Sequence, residues 1–307
     1  MGSALFTGGD KCEPGYRNIR DAKDGRLYST RHHCEYLWLF FERHADPEFK
    51  VELRNNFNAR YWEMYLTTTL ILWGYEATCP KPGPDVGIMH RGKRIWFECV
   101  SPTPGHPESP DYVPPPKEGE VYNVPNEKMV LRYLNSISEK YERQYANWLA
   151  KGHVSKDDAF VIAINPRNIP FEPGDTEPPR ILQAGYTVGP LYVVIDRATG
   201  SAVRTGYHYR GHIEKARKVD AASDANNKQE PPKVTTGVFQ DRKHDGLSAL
   251  LCSRVDAANR PGEMGDDFQL APNPHAAVPL PEGFRLRGIY YETKIEGTEY
   301  RVTPTTK

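Results

Sequence analysis

The chain has 307 residues, with 40 Lys and Arg against 40 Asp and Glu. Its mean hydropathy of −0.68, with no apolar run near the ~18–20 residues of a spanning helix, excludes an integral helical membrane protein. The five scattered cysteines form no Cys-x-x-Cys pair, which argues against a disulfide framework or zinc ribbon and for a reducing, cytoplasmic setting. The first residues, Met1-Gly2-Ser3-Ala4-Leu5-Phe6, carry no basic and apolar leader pattern and no myristoylation signal. Zero net charge excludes a polycationic nucleic-acid protein but not a local basic patch.

In chain order, residues 29–45, with Tyr36, Trp38, Phe40 and Phe41, predict a helix within an N-terminal helical extension spanning 1–54. Residues 55–307 then form the main domain. Residues 58–73 predict a helix capped by Asn58 and stopped by Gly74, with Trp62, Leu66, Leu70 and Trp73 at helical spacing. Residues 84–90 and 93–100 predict two strands joined by a tight turn at Arg91-Gly92. The proline cluster at 101–125 forbids regular structure there. A long helix follows at 127–150, capped by Asn126 and ended by Gly152, with Val130, Leu134, Ile137, Tyr141, Tyr145 and Trp148 in helical phase. Strands are expected at 159–165, 190–196, 202–209, 247–255, 268–272 and 286–293, and a disordered loop near 219–233. This order describes an α/β domain with a mixed central sheet flanked by helices.

The chemistry lies in the hairpin. A turn at Arg91-Gly92 sets His90 opposite Lys93, and the same register carries Asp85 opposite Glu98. Opposed residues have Cβ atoms ~4.5–5.5 Å apart, and like charges so placed repel. Glu98 shares its strand with Ile95, Trp96, Phe97 and Val100, the composition of a strand buried on both faces. Two carboxylates forced together in apolar surroundings need protonation, a basic partner or a metal. Hard oxygen ligands of this kind suit Mg²⁺. Glu63, beside the apolar stripe of its helix, can point over the sheet edge towards both; a solvated glutamate is the alternative.

Helix with Glu63, then Pro84-Asp85, then Glu98-Cys99-Val100, then a long helix: this arrangement resembles the PD-(D/E)xK nuclease superfamily, the restriction-endonuclease-like fold, over roughly residues 55–165. The resemblance implies metal-dependent phosphodiester hydrolysis of DNA. Asp85, Glu98 and the Cys99 carbonyl would hold Mg²⁺ or Mn²⁺, with Glu63 joining directly or through water. The lysine of that pattern is replaced by Val100. Lys140, one turn from Gln144 on the long helix, is the local candidate for its role, with Gln144 a substrate contact; pairing of Lys140 with Glu139 or Glu142 is the alternative. The missing lysine also leaves a non-catalytic nucleic-acid- or protein-binding member of the same fold in view. Should Asp85 and Glu98 not face each other, a metal-dependent hydrolase or an unrelated interaction protein remains.

The basic, tyrosine-bearing stretch 204–218 offers Arg210, Arg217 and Lys218 as phosphate contacts and Tyr207 and Tyr209 as stacking groups; a solvated charged face is the alternative. The expected partner is DNA, with no membrane and a homodimer left open. Gly87–Arg94 misses the phosphate-loop pattern at its final hydroxyl. His32-His33-Cys34 reads as a helix end, and Ser248, Ser253 and His275 lack a nucleophile elbow.

Overall fold

The computed structural model describes residues 3–9, 11–172, 174, 176–215, 232–297 and 299–306. Helices α1 (Pro14–Arg20), α2 (Gly25–Phe41), α3 (Phe49–Asn55) and α4 (Phe57–Leu72) precede the hairpin β1 (Val86–His90) and β2 (Lys93–Val100). One continuous helical rod follows: α5 (Asn126–Ser138), a π-helical turn (Glu139–Tyr145) and α6 (Ala146–Ala150). Then come β3 (Ala159–Ile164), α7 (Arg180–Gly185), β4 (Val188–Ile195), β5 (Ala202–Tyr209), β6 (His212–Glu214) and β7 (Lys233–Thr235). The chain closes with β8 (Ala249–Cys252), β9 (Gln269–Pro272), β10 (Ile289–Glu296) and β11 (Glu299–Thr306).

Seven strands form one mixed sheet in the order β1-β2-β3-β8-β9-β10-β11. Strands β2, β3 and β8 run parallel, while β1 and β9 run antiparallel to their neighbours β2 and β8. Period-2 alternation divides the side chains of β3 between two apolar layers. Ala159, Val161 and Ala163 join the layer built on α1–α4; Phe160, Ile162 and Ile164 join the layer built on α5 and α7. This is a three-layer α/β/α arrangement with helices on both faces.

The N-terminal segment packs in the same layer as α4: Leu37, Phe41, Phe49 and Leu53 meet Phe57 and Tyr61 within one cluster. As a result α4 is buried all round from Tyr61 through Leu70, not along a single stripe. Trp62 is fully buried, and its indole Nε1 donates to the Ala163 carbonyl at 2.8 Å, tying α4 to β3.

Several expectations are corrected. Asn58 does not cap α4: Asn56 holds that position, Glu13 Oε2 accepts from the Phe57 amide at 2.8 Å, and Asn58 turns to Asn168. An anionic oxygen from a distant segment satisfies this helix N-terminus. Asn126 is likewise inside its helix, not at the cap, because its amide serves Arg180 and Gln183. Among the described residues, strands β4 and β5 pair only with each other, outside the central sheet. The loop near 219–233 lies largely outside the described residues; Lys233 begins β7. No helix among the described residues is long and apolar enough to cross a membrane.

Candidate active site

The β1–β2 turn has Arg91 at φ 49° and Gly92 at φ 77°, the left-handed pair that suits a two-residue hairpin. It pairs His90 with Lys93 and carries the register to Val86 opposite Phe97. Asp85 stands one residue beyond the ladder. Its Oδ2 accepts from the Cys99 amide at 2.7 Å, which fixes the carboxylate beside the end of β2. Gly87 allows this close hairpin because a Cβ there would lie 2.3 Å from the Trp96 ring.

Glu98 is only 3% exposed, since β2 is flanked by β1 and β3 and covered on both faces. Alternation turns it, with Trp96, towards the α5 layer. There Lys140, on the π-helical turn, donates from Nζ to Glu98 Oε1 at 2.6 Å and to Gln144 Oε1 at 3.0 Å. Pairing with Glu139 or Glu142 is therefore not what Lys140 does in this structure. The other oxygen, Glu98 Oε2, is buried with no hydrogen-bond partner. Such π-helical turns recur at functional sites.

Glu63, also 3% exposed, lies on the opposite helical layer, in α4. It is ion-paired to Arg60, which also pairs with Glu52. A residue with no periodic signal completes the group. Lys81, in the loop before β1, places Nζ 3.6 Å from Glu63 Oε1, 3.8 Å from Asp85 Oδ1 and 3.7 Å from Asp46 Oδ2. Its clue in the sequence is its place four residues before Asp85 in a Pro-Gly loop.

These side chains line a cleft of about 600 Å³ at the sheet edge, together with Arg143, Asn147 and Trp148 from the helical rod. Ser101, the first residue after β2, also lines it, and its buried hydroxyl has no partner. The rest of the Pro-rich segment is held away, with Asp111 bound by Arg132 and Asn135 on α5.

The electrostatics follow from burial. Burial first, then the neighbouring Asp85, raises the Glu63 carboxyl from its ordinary 4.5 to about 7, against the pull of Lys81 and Arg60. The same two causes, in the same order, push Glu98 well above the carboxylate range, with Lys140 opposing. Burial would lower the Lys140 ammonium, but Glu98 and Asp85 outweigh it and the net direction is up. Carboxylates whose charge is disfavoured by burial and crowding are poised to accept a cation.

No family model, curated protein or solved structure matches the chain.

Of the residues expected from sequence, Glu63, Asp85, Glu98, Lys140 and Gln144 meet in this cleft. Arg210 does not line it; its guanidinium pairs with Glu127 at 3.2 Å. Arg217 and Lys218 lie outside the described residues. Tyr207 and Tyr209 are exposed on β5. His33 packs beside Tyr61, with Nε2 3.2 Å from its hydroxyl, and burial lowers its pKa to about 4. Ser253 donates to Asp267, and Ser248 to the Val278 carbonyl.

The donor set can be tested against a divalent cation. Among the described residues no set of three or more His, Cys, Asp and Glu side chains stands close enough to hold one. Mg²⁺ asks for less, commonly one or two carboxylates with water and substrate oxygens completing its shell. Asp85 and Glu98, the latter with a buried oxygen lacking a partner, fit that requirement.

Proposed function

We propose that the cleft hydrolyses phosphodiester bonds in DNA with Mg²⁺ or Mn²⁺ held by Asp85 and Glu98, on a scaffold of the restriction-endonuclease-like kind. The observation that carries the reading is the meeting of Asp85 and Glu98 of the hairpin with Lys140 of the helical rod in one cleft. The bound cation would neutralise charge on the scissile phosphate and make a water more acidic.

The chain's own residues supply the rest. The Cys99 amide orients Asp85 before any ligand arrives. Lys140 brings an ammonium, already aligned by Glu98 and Gln144, into the cleft, where it would orient the attacking water or a phosphate oxygen. Glu63 adds negative charge from the α4 side, and Arg143 at the exposed rim offers a phosphate contact. A lysine on the helical rod thus stands in for the one replaced by Val100.

One observation favours a second reading, a non-catalytic member of the fold that binds nucleic acid or protein. Lys140 already occupies Glu98 Oε1, so the cluster is partly self-neutralised without a metal. A cleavage assay on single- and double-stranded DNA with Mg²⁺ or Mn²⁺ separates the two. Nicking by the wild type that is lost in Asp85→Asn and Glu98→Ala supports the enzyme. Equal activity in all three forms points to a contaminant and overturns it. DNA binding without cleavage by the wild type favours the second reading.

A further inference from the structure

The two lysines of the cleft are held in different ways. Lys140 is fixed by a 2.6 Å hydrogen bond to one carboxylate and is largely buried. Lys81 is about one-third exposed and stands 3.6–3.8 Å from oxygens of three carboxylates, beyond hydrogen-bonding distance of each. Its ammonium is therefore retained by the summed field of Asp46, Glu63 and Asp85, without a directional bond to any of the three. An ammonium is a compact charge on a flexible four-carbon stem, which makes such a cation replaceable. Across the same cleft, Glu98 Oε2 is buried and, among the described residues, has no hydrogen-bond partner.

We propose that Lys81 is a resident counter-ion that competes with the divalent cation for Asp85 and the field of Asp46 and Glu63, and so sets the metal affinity of the cleft. The inference rests on the metal reading above. The three carboxylates around Lys81 stand too far apart to be a direct ligand set, so the competition is for charge, with Asp85 as the shared ligand. Removing the ammonium leaves that charge open to the metal. Replacing it with a guanidinium, which can grip carboxylates with a two-pronged fork, fills the site more firmly.

The test is calorimetric titration of the full chain with Mn²⁺ alone. Relative to wild type, Lys81→Met should lower the Mn²⁺ dissociation constant about tenfold, and Lys81→Arg should raise it severalfold. In thermal melts, Mn²⁺ should raise Tm more in Lys81→Met than in wild type, because the stabilisation by a ligand bound only by the folded state grows with the logarithm of its affinity. If Asp85→Asn abolishes Mn²⁺ binding but Lys81→Met binds no more tightly than wild type, the counter-ion role is overturned and the metal site stands. If wild type takes up no Mn²⁺, or Asp85→Asn binds it unchanged, both readings fall. Should Lys81→Met lose its fold, Lys81→Arg keeps the charge and carries the test: unchanged or tighter binding overturns the proposal.

Discussion

Replacing Glu63 by glutamine should stabilise the metal-free protein, and by an amount that depends on pH. In the folded chain the Glu63 carboxyl titrates at about 7 instead of 4.5, because it is buried in α4 and faces Asp85. At roughly 1.4 kcal/mol per pH unit of that interval, keeping it ionised costs on the order of 3 kcal/mol. The folded state holds its proton to higher pH than the unfolded state does. Stability is therefore unaffected by Glu63 below about pH 4.5 and falls as pH rises towards 7, and the full cost applies above that. Glu63→Gln keeps the shape and an acceptor for Arg60 while removing the charge. Urea unfolding in EDTA, from pH 4.5 to 8.5, should show the variant equal to wild type at the acid end and about 3 kcal/mol more stable at the alkaline end. A difference that does not change with pH, or a variant less stable than wild type at pH 8, would refute the reasoning. The same substitution should weaken Mn²⁺ binding, the trade between stability and function expected where a site stores crowded charge.

Lys140→Met should destabilise the protein by on the order of 1–3 kcal/mol, since it leaves a buried oxygen of Glu98 without its donor, and Glu98→Gln added to it should lose less than the sum of the two single variants. Urea denaturation of the two single variants and the double variant measures that coupling; additive losses would mean the 2.6 Å contact is energetically idle. Gly87→Ala should cost about 1–3 kcal/mol through overpacking, because its new Cβ would sit 2.3 Å from Trp96, whose indole also bonds Asp158. A drop in Tm with altered tryptophan emission is the expected readout, and an unchanged Tm would show that the Trp96 ring moves aside freely.

The hairpin was legible because its information is local. Arg91-Gly92 dictates a turn type, the turn dictates the register, and the register carries Asp85 to the end of β2 beside Glu98 and Cys99. The helical rod was legible for the same reason, since Val130 through Trp148 repeat at helical spacing. Its π-helical turn over Glu139–Tyr145 was not, because the residues themselves do not mark a widened hydrogen-bond phase. Strand β11 contains Pro304, which is tolerated because β11 is an edge of the sheet.

By itself, then, the sequence determined an α/β chain with a mixed sheet, two hairpin carboxylates forced together, and a lysine-bearing helix to follow. Short-range spacing encodes these things. Only the tertiary structure decided the charge balance of the site. Asp46 lies far from Glu98 and Lys140 in the chain and joins the cleft where the α2–α3 connection packs beside α4, while Lys81 enters from the loop that leads into β1. The same covering buries Glu63, which its own helix pattern left beside the apolar stripe. Burial and through-space charge depend on which segments meet, and that is a property of packing that local periodicity does not carry.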